Sequence, residues 1–128
     1  MRGQRLRTFF DGGCRPNPGM MEIAVVVRGR SYVTHDLGHG TSGDAEWLAL
    51  LEAIRIARSL DEPDFVLLGD SAMVVDQANG VSKCRSANLQ AHLESFRQLA
   101  AAGPPLRIRH IRRSQNLAGI ALAKTHDR

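Results

Sequence analysis

Two apolar runs that each end on an aspartate constrain the fold of this sequence more than any other feature. Leu6 to Phe10 is fit for a buried strand, and Asp11 follows it directly. Phe65 to Gly69 is a continuous apolar run, typical of a buried parallel strand, and Asp70 ends it. If these strands lie side by side and parallel, both aspartates leave the same sheet edge about 5 Å apart. Ligands of open α/β sheets bind at that edge.

The rest of the chain predicts the elements that can build such a sheet. Glycines and prolines within residues 12–19 predict an irregular loop after Asp11. The predicted strands cover residues 6–10, 21–28, 32–37, 65–69 and 106–111, and the predicted helices cover 45–58, 72–78, 87–102 and 115–124. Thr41 or Ser42 is expected to cap the first helix, and Ser114 the last. The order predicts an α/β fold with a five-stranded mixed sheet, three antiparallel strands followed by two parallel ones, flanked by helices.

Length and composition predict one domain over residues 1–128. No apolar run approaches the roughly 20 residues of a membrane helix, and residues 6–10 are too few for a signal-peptide core. We therefore expect a cytoplasmic monomer with no membrane contact. Cys14 and Cys84 lack metal-binding spacing and are expected to be free thiols. The net charge of +4, with arginines concentrated in residues 107–113, indicates a polyanionic partner such as nucleic acid.

A third carboxylate, Glu46, falls in the first turn of the helix predicted over residues 45–58. Taken singly, Asp11 can be a turn residue, Glu46 a partner of the helix dipole and Asp70 a helix cap. Three carboxylates at one sheet edge, however, would repel one another unless a cation lay among them. Oxygen ligands favour Mg²⁺ or Mn²⁺, and such ions in nucleases hold a phosphodiester and activate water. The cluster therefore predicts metal-dependent phosphodiester hydrolysis.

Four motifs in order connect these residues to a known family. They are Phe10-Asp11-Gly12-Gly13-Cys14 with Asn17-Pro18-Gly19, then Thr41 to Glu46, then Gly69-Asp70-Ser71, and finally His110, Asn116 and Leu122-Ala123. With this spacing, the sequence resembles type 1 ribonuclease H along nearly its whole length. The resemblance implies cleavage of the RNA strand of RNA–DNA hybrids with Mg²⁺ or Mn²⁺, two ions per site.

The resemblance also implies roles for individual residues. Asp11, Glu46 and Asp70 correspond to the first three of the family's four metal-binding carboxylates. Cys14 and Asn17 would lie along the RNA strand near its 2′-hydroxyls, and contacts to these groups let a protein distinguish a hybrid from pure duplexes. The remaining substrate-binding candidates are Thr41 and Asn88, expected at a DNA phosphate, and Gly12 and Ser71, which belong to the matched motifs.

One family carboxylate is missing from this sequence. The family usually carries an aspartate four residues after the asparagine of the last helix, where this chain has Ile120. His110, expected at the end of the last strand, is a catalytic candidate that could bind metal or move protons. The alternative, to which we give equal weight, is that His110 is a half-exposed strand residue without a catalytic role. Asp127 would lie about 10 Å further along the helix axis and is not expected to reach the site.

The substitution at Ile120 leaves three functions open. The first is the endonuclease acting on RNA–DNA hybrids. The second is a catalytically weakened or inactive module that binds such hybrids or other nucleic acid. The third is a related nuclease with another substrate, which a comparison of hybrid cleavage with cleavage of DNA and RNA duplexes would distinguish from the first.

Overall fold

The strand that carries Asp11 lies at the centre of a mixed β-sheet. The computed structural model describes residues 5–126. Its strands are β1 (Leu6–Cys14), β2 (Gly19–Val27), β3 (Arg30–Thr34), β4 (His39–Gly40), β5 (Phe65–Gly69) and β6 (Ile108–His110). Its helices are α1 (Ser42–Ser59), α2 (Ala72–Ala78), α3 (Ala87–Ala101) and α4 (Leu117–Lys124), and a short 3₁₀ turn over Arg113–Gln115 precedes α4.

The topology of the sheet agrees with the prediction. The strand order is β3-β2-β1-β5-β6, in which β1 pairs antiparallel with β2 and parallel with β5. β2 also pairs antiparallel with β3, and β5 pairs parallel with β6. The short β4, which the sequence did not predict, pairs with the start of β2 beside this five-stranded path. Because Phe9 lies opposite Leu68, Asp11 and Asp70 reach the same end of the sheet.

The first strand is longer than predicted. β1 continues to Cys14, so Asp11 lies within the strand and not at its exit. Gly13 pairs with Glu22 of β2, and this pairing satisfies backbone groups that an irregular segment would leave free. The prediction was wrong because pairing with β2 holds these glycines in an extended ladder, although glycine weakens a strand on its own. Only residues 15–18 remain as the connecting loop.

The other bounds lie close to their predictions. β5 and α2 match them, and β2, β3, β6 and α3 differ by at most three residues. α1 begins at Ser42 because Thr41 and Asp44 form a capping box, in which each side chain accepts a hydrogen bond from the other's backbone amide.

The two faces of the sheet carry cores of unequal size. The larger core lies between the sheet and the three helices α1, α2 and α3, and its fully buried side chains include Phe10, Trp47, Leu50, Ile54, Leu67, Val74 and Ile108. The smaller core lies under α4 and consists of Phe9, Ala24, Val26, Leu68, Ala118 and Leu122. Side chains alternate along a strand, so Asp11 and Asp70 share the α4 face with Phe9 and Leu68.

Two expectations drawn from composition can be compared with the fold. No helix within residues 5–126 is long and apolar enough to cross a membrane. Cys14 and Cys84 are both free thiols, as predicted.

Candidate active site

Three carboxylates from three elements meet at the end of the sheet. Asp11 comes from the middle of β1, Glu46 from the first turns of α1, and Asp70 from the residue after β5. One oxygen from each lies within 4.8 Å of the others, and all three side chains are half-buried. Among residues 5–126, no other group of three His, Cys, Asp or Glu side chains comes this close. The structure therefore brings together the metal-ligating residues that the sequence predicts.

Glu46 reaches the strands because α1 packs unusually close to β1. A Cβ at Gly12 would lie 2.2 Å from the carbonyl oxygen of Ala45, so only glycine fits beneath the start of this helix. The same closeness lets the Gly12 amide donate a hydrogen bond to Glu46 Oε1 at 2.9 Å. Gly12 thus positions the second carboxylate through both its missing side chain and its backbone amide.

Asp70 is held by a buried asparagine. Asn116 Nδ2 donates to Asp70 Oδ2 at 3.1 Å and to the carbonyl oxygen of Phe10 at 2.9 Å. Its Oδ1 accepts from the Ala118 amide, so Asn116 caps α4 in place of the predicted Ser114. The prediction was wrong because these tertiary hydrogen bonds select Asn116 as the cap. One amide side chain therefore orients Asp70 and fixes where α4 begins.

The environment of the cluster opposes its ionisation. Burial, reinforced by the charge of Asp70, raises the pKa of Asp11 to about 6. Burial and the neighbouring charge of Asp11 raise the pKa of Glu46 to about 9, against the hydrogen bond from the Gly12 amide. Without a cation, the cluster therefore retains the Glu46 proton near neutral pH. The cluster offers only oxygen ligands, and without a cation a proton offsets part of its negative charge. Such a set of ligands fits Mg²⁺ or Mn²⁺.

The carboxylates open into a cavity of about 590 Å³. Six of the predicted site residues line it: Asp11, Gly12, Cys14, Asn17, Glu46 and Asp70. Asn17 also fixes one wall, because its Nδ2 donates to Ser42 Oγ at 3.0 Å and its Oδ1 accepts from the Ser42 amide at 3.1 Å. The loop after β1 is thereby attached to the start of α1.

Four predicted site residues lie outside the cavity lining. Thr41 caps α1, and its hydroxyl also donates to Asp44. Ser71 caps α2 by accepting from the Val74 amide. Asn88 is exposed in the first turn of α3, and His110 is exposed at the end of β6, opposite Gly69.

The α4 wall of the cavity carries no carboxylate. Ile120 lines the cavity and is 44% exposed, so the position expected to hold the fourth carboxylate faces the site with an apolar side chain. The backbone of α4 passes close to the cluster at Gly119, since a Cβ there would lie 3.4 Å from Asp11 Oδ2. Asp127, considered as a substitute, lies outside the described residues.

Several residues near the site were not singled out from the sequence. Arg15 and Glu22 also line the cavity, together with Arg113, which belongs to the arginines of residues 107–113 that the sequence assigns to a polyanionic partner. Glu22 is buried and accepts hydrogen bonds from two histidines, His35 at 2.9 Å and His126. The one sequence signal for Glu22 is its charge within the otherwise apolar β2, whereas the two histidines share no spacing that could have paired them.

Comparisons with known proteins agree with this geometry. A family model described as reverse transcriptase-like matches residues 9–126. A curated ribonuclease HI from Halobacterium salinarum is 31% identical over 127 residues, and the alignment covers 95% of this chain. The chain belongs to the ribonuclease HI family. It spans 64% of that relative's length. The resemblance drawn from the four motifs is confirmed.

Solved structures from the ribonuclease HI family share this fold. RNase H1 from Halobacterium salinarum superposes with a TM-score of 0.84 at 27% identity, covering 93% of this chain and 94% of that one. LC11-RNase H1, solved in complex with an RNA/DNA hybrid, superposes with a TM-score of 0.79 at 25% identity, covering 88% of each chain. The predicted ribonuclease H-like sheet and helices are therefore confirmed.

Proposed function

We propose that this protein is an endonuclease that hydrolyses the RNA strand of RNA–DNA hybrids with Mg²⁺ or Mn²⁺. The observation that carries the proposal is the half-buried cluster of Asp11, Glu46 and Asp70, with oxygens within 4.8 Å of one another, in a chain of the ribonuclease HI family. LC11-RNase H1, a relative with the same fold, was solved with an RNA/DNA hybrid, and this supports the same partner here.

The three carboxylates would hold the cations, two per site as the family resemblance implies. When bound, Mg²⁺ or Mn²⁺ would neutralise charge on the phosphate and activate a water molecule. The Gly12 amide holds Glu46, and the Asn116 amide group holds Asp70, so both carboxylates are oriented before any cation binds. Because the pKa of Glu46 is raised to about 9, cation binding would release the Glu46 proton near neutral pH.

The remaining candidates would contact substrate or move protons. Cys14 and Asn17 line the cavity beside the carboxylates, where they would meet the 2′-hydroxyls of the RNA strand. His110 is exposed at the end of β6 and would exchange protons between the site and solvent. The candidates for phosphate and backbone contacts are Gly12, Thr41, Ser71 and Asn88.

Ile120 favours a second function, a module that binds nucleic acid with little or no turnover. This side chain lines the cavity on α4, where the family resemblance expects the fourth carboxylate. It has no oxygen to offer a cation. The binding surface would then remain while the chemistry is weakened.

Cleavage of a labelled RNA–DNA hybrid, measured with Mg²⁺ and with Mn²⁺, tests both functions. The variants are Asp70→Asn, which removes a cluster charge, and Ile120→Asp, which restores a carboxylate to the α4 wall. Asp61→Asn is the matched control, because Asp61 is exposed, lies away from the cavity and has a φ of 56°, which asparagine also adopts. DNA and RNA duplexes of the same sequence measure substrate preference.

We expect cleavage by the wild type and by Asp61→Asn, and loss of cleavage in Asp70→Asn. Equal cleavage of hybrid and of either pure duplex would contradict the proposed substrate. A wild type that binds hybrid but is silent with both cations would support the second function, and rescue by Ile120→Asp would attribute the loss to that position.

A further inference from the structure

Two arginines at the carboxylate cavity have no acidic partner among residues 5–126. Arg15 lies in the loop between β1 and β2, Arg113 lies in the turn before α4, and both are exposed and line the cavity. Within residues 5–126, neither forms a salt bridge, whereas Arg5 and Arg107 both pair with Asp64. Two unpaired guanidinium groups therefore flank an acidic centre.

The position of Arg113 is coupled to the carboxylate cluster. The backbone carbonyl oxygen of Arg113 accepts a hydrogen bond from the backbone N–H of Asn116 at 3.1 Å. The side chain of Asn116 in turn donates to Asp70. Arg113 and Asp11 line the same cavity, and the Arg113 side chain is exposed there beside the carboxylate cluster.

The backbone that carries Arg15 is also fixed by hydrogen bonds, at the wall of the cavity formed by the β1–β2 loop. Arg15 follows Cys14, the last residue of β1, and precedes the loop residue Asn17. Asn17 makes two hydrogen bonds to Ser42 at the start of α1, so this loop is fixed against the element that carries Glu46. Both arginines therefore project from backbone that is attached to the site.

We propose that Arg15 and Arg113 bind backbone phosphates of the nucleic-acid strand that enters the cavity, next to the phosphate at the carboxylate cluster. Guanidinium groups bind phosphate oxygens through paired N–H donors, and exposed, unpaired ones need not break an existing ion pair to do so. The inference rests on the proposed function, because it assumes that nucleic acid occupies this cavity.

The neighbouring arginines do not share this placement. Arg107 pairs with Asp64, Arg109 donates to the carbonyl oxygen of Ile108, and Arg112 is exposed, and none of the three lines the cavity. Arg112 is the matched control for Arg113, since it is adjacent and carries the same charge. Arg30, which stacks on Tyr32 away from the cavity, is the control for Arg15.

The test is the salt dependence of binding to a short fluorescent RNA–DNA hybrid, measured by anisotropy with EDTA present so that no cleavage occurs. Removing one arginine that contacts a phosphate should weaken hybrid binding about five- to tenfold near 0.1 M KCl. It should also reduce the slope of the logarithm of the association constant against the logarithm of the salt concentration by about 0.7–0.9. We expect this result for Arg113→Ala and for Arg15→Ala. Arg113→Lys should retain most of the slope, because it retains the charge.

The controls and the wild type distinguish the possible failures. Arg112→Ala and Arg30→Ala should change affinity by less than about twofold, since screening weakens charges that make no contact. Equal effects of Arg113→Ala and Arg112→Ala, with hybrid bound tightly by the wild type, would overturn this inference and leave the proposed function intact. A wild type that binds no hybrid, in EDTA or with Mg²⁺, would overturn both.

Discussion

The α1 face and the α4 face of the sheet contribute to one site in different ways. The α1 face has a large core, and its helix approaches β1 so closely that only glycine fits at position 12. The α4 face has a small core beneath a helix of 8 residues, and this helix presents Gly119 and Ile120 to the cavity. Helix α1 therefore holds Glu46 rigidly, whereas helix α4 contributes no carboxylate.

The two faces of the sheet therefore differ in the substitutions that they tolerate. A change on the α1 face disturbs a close-packed contact that also positions a carboxylate. A change at Ile120 on α4 alters the chemistry of the cavity wall with little effect on packing, because this side chain is 44% exposed. An apolar residue can therefore replace a functional one on α4 without loss of the fold.

Glycine replacement should separate the faces most clearly. Gly12→Ala would place a Cβ 2.2 Å from the Ala45 carbonyl oxygen, and since that atom belongs to the backbone of α1, the helix must move. We expect a loss of at least about 4 kcal/mol or failure to fold. Gly119→Ala meets only a 3.4 Å contact and should be neutral or gain up to about 1 kcal/mol in a helix. Urea denaturation measures both, and similar values would remove the distinction.

Leucine truncation compares the two cores directly. Leu50 on α1 is fully buried, and Leu122 on α4 is 6% exposed. Leu50→Ala should cost about 3–5 kcal/mol, because the large core cannot collapse around the cavity left behind. Leu122→Ala should cost about 2–3 kcal/mol, since the thin layer under α4 can relax. A larger cost at Leu122, measured by urea denaturation, would contradict the ranking of the faces.

Asn116 joins the α4 face to the cluster, and its removal should affect both stability and cation binding. Asn116→Ala removes the side-chain hydrogen bonds to Asp70 and to the Phe10 carbonyl oxygen and leaves α4 without its cap, so we expect a loss of about 2–3 kcal/mol. Mn²⁺ affinity measured by calorimetry should fall about tenfold or more.

The control for Asn116 is an asparagine remote from the cavity. Asn79 donates a similar hydrogen bond to the Ile108 carbonyl oxygen at 3.0 Å. Asn79→Ala should lower stability with Mn²⁺ affinity unchanged. If both variants bind Mn²⁺ as the wild type does, Asn116 has only a structural role.

The smallest effect should be a gain of stability on the α1 face. The unfolded chain loses the Glu46 proton near pH 4.5, but the folded protein retains it up to about pH 9. Between these values the folded state binds more protons, so the free energy of unfolding falls as pH rises. Asp11 acts in the same direction between pH 3.8 and about 6.

Glu46→Gln removes this cost. With EDTA at pH 6, the variant should be about 1–3 kcal/mol more stable than the wild type, and the difference should vanish towards pH 4. Added Mg²⁺ should stabilise the wild type and not the variant, because the lost carboxylate is a proposed ligand. Thermal unfolding at several pH values measures both effects, and an unchanged difference across pH would contradict the raised pKa.

Local patterns in the chain were sufficient to predict the order of elements and most of the site. The buried run of β5 ending on Asp70, the apolar run of β1 leading to Asp11, and the helical period of α1 are signals within a few residues. Parallel pairing of two such strands brings the aspartates together whatever the details of the loops. The first turn of α1 then accounts for Glu46.

Contacts between residues distant in the chain determined the rest. The Gly12 bond to Glu46 spans 34 positions and the Asn116 bond to Asp70 spans 46, so no local pattern reveals either. The extension of β1 depends on pairing with β2, and the exposure of Arg113 depends on how the turn before α4 packs. Strand pairing and buried hydrogen bonds form only when the whole core assembles, because their free energy depends on excluding water from groups that the fold itself brings together.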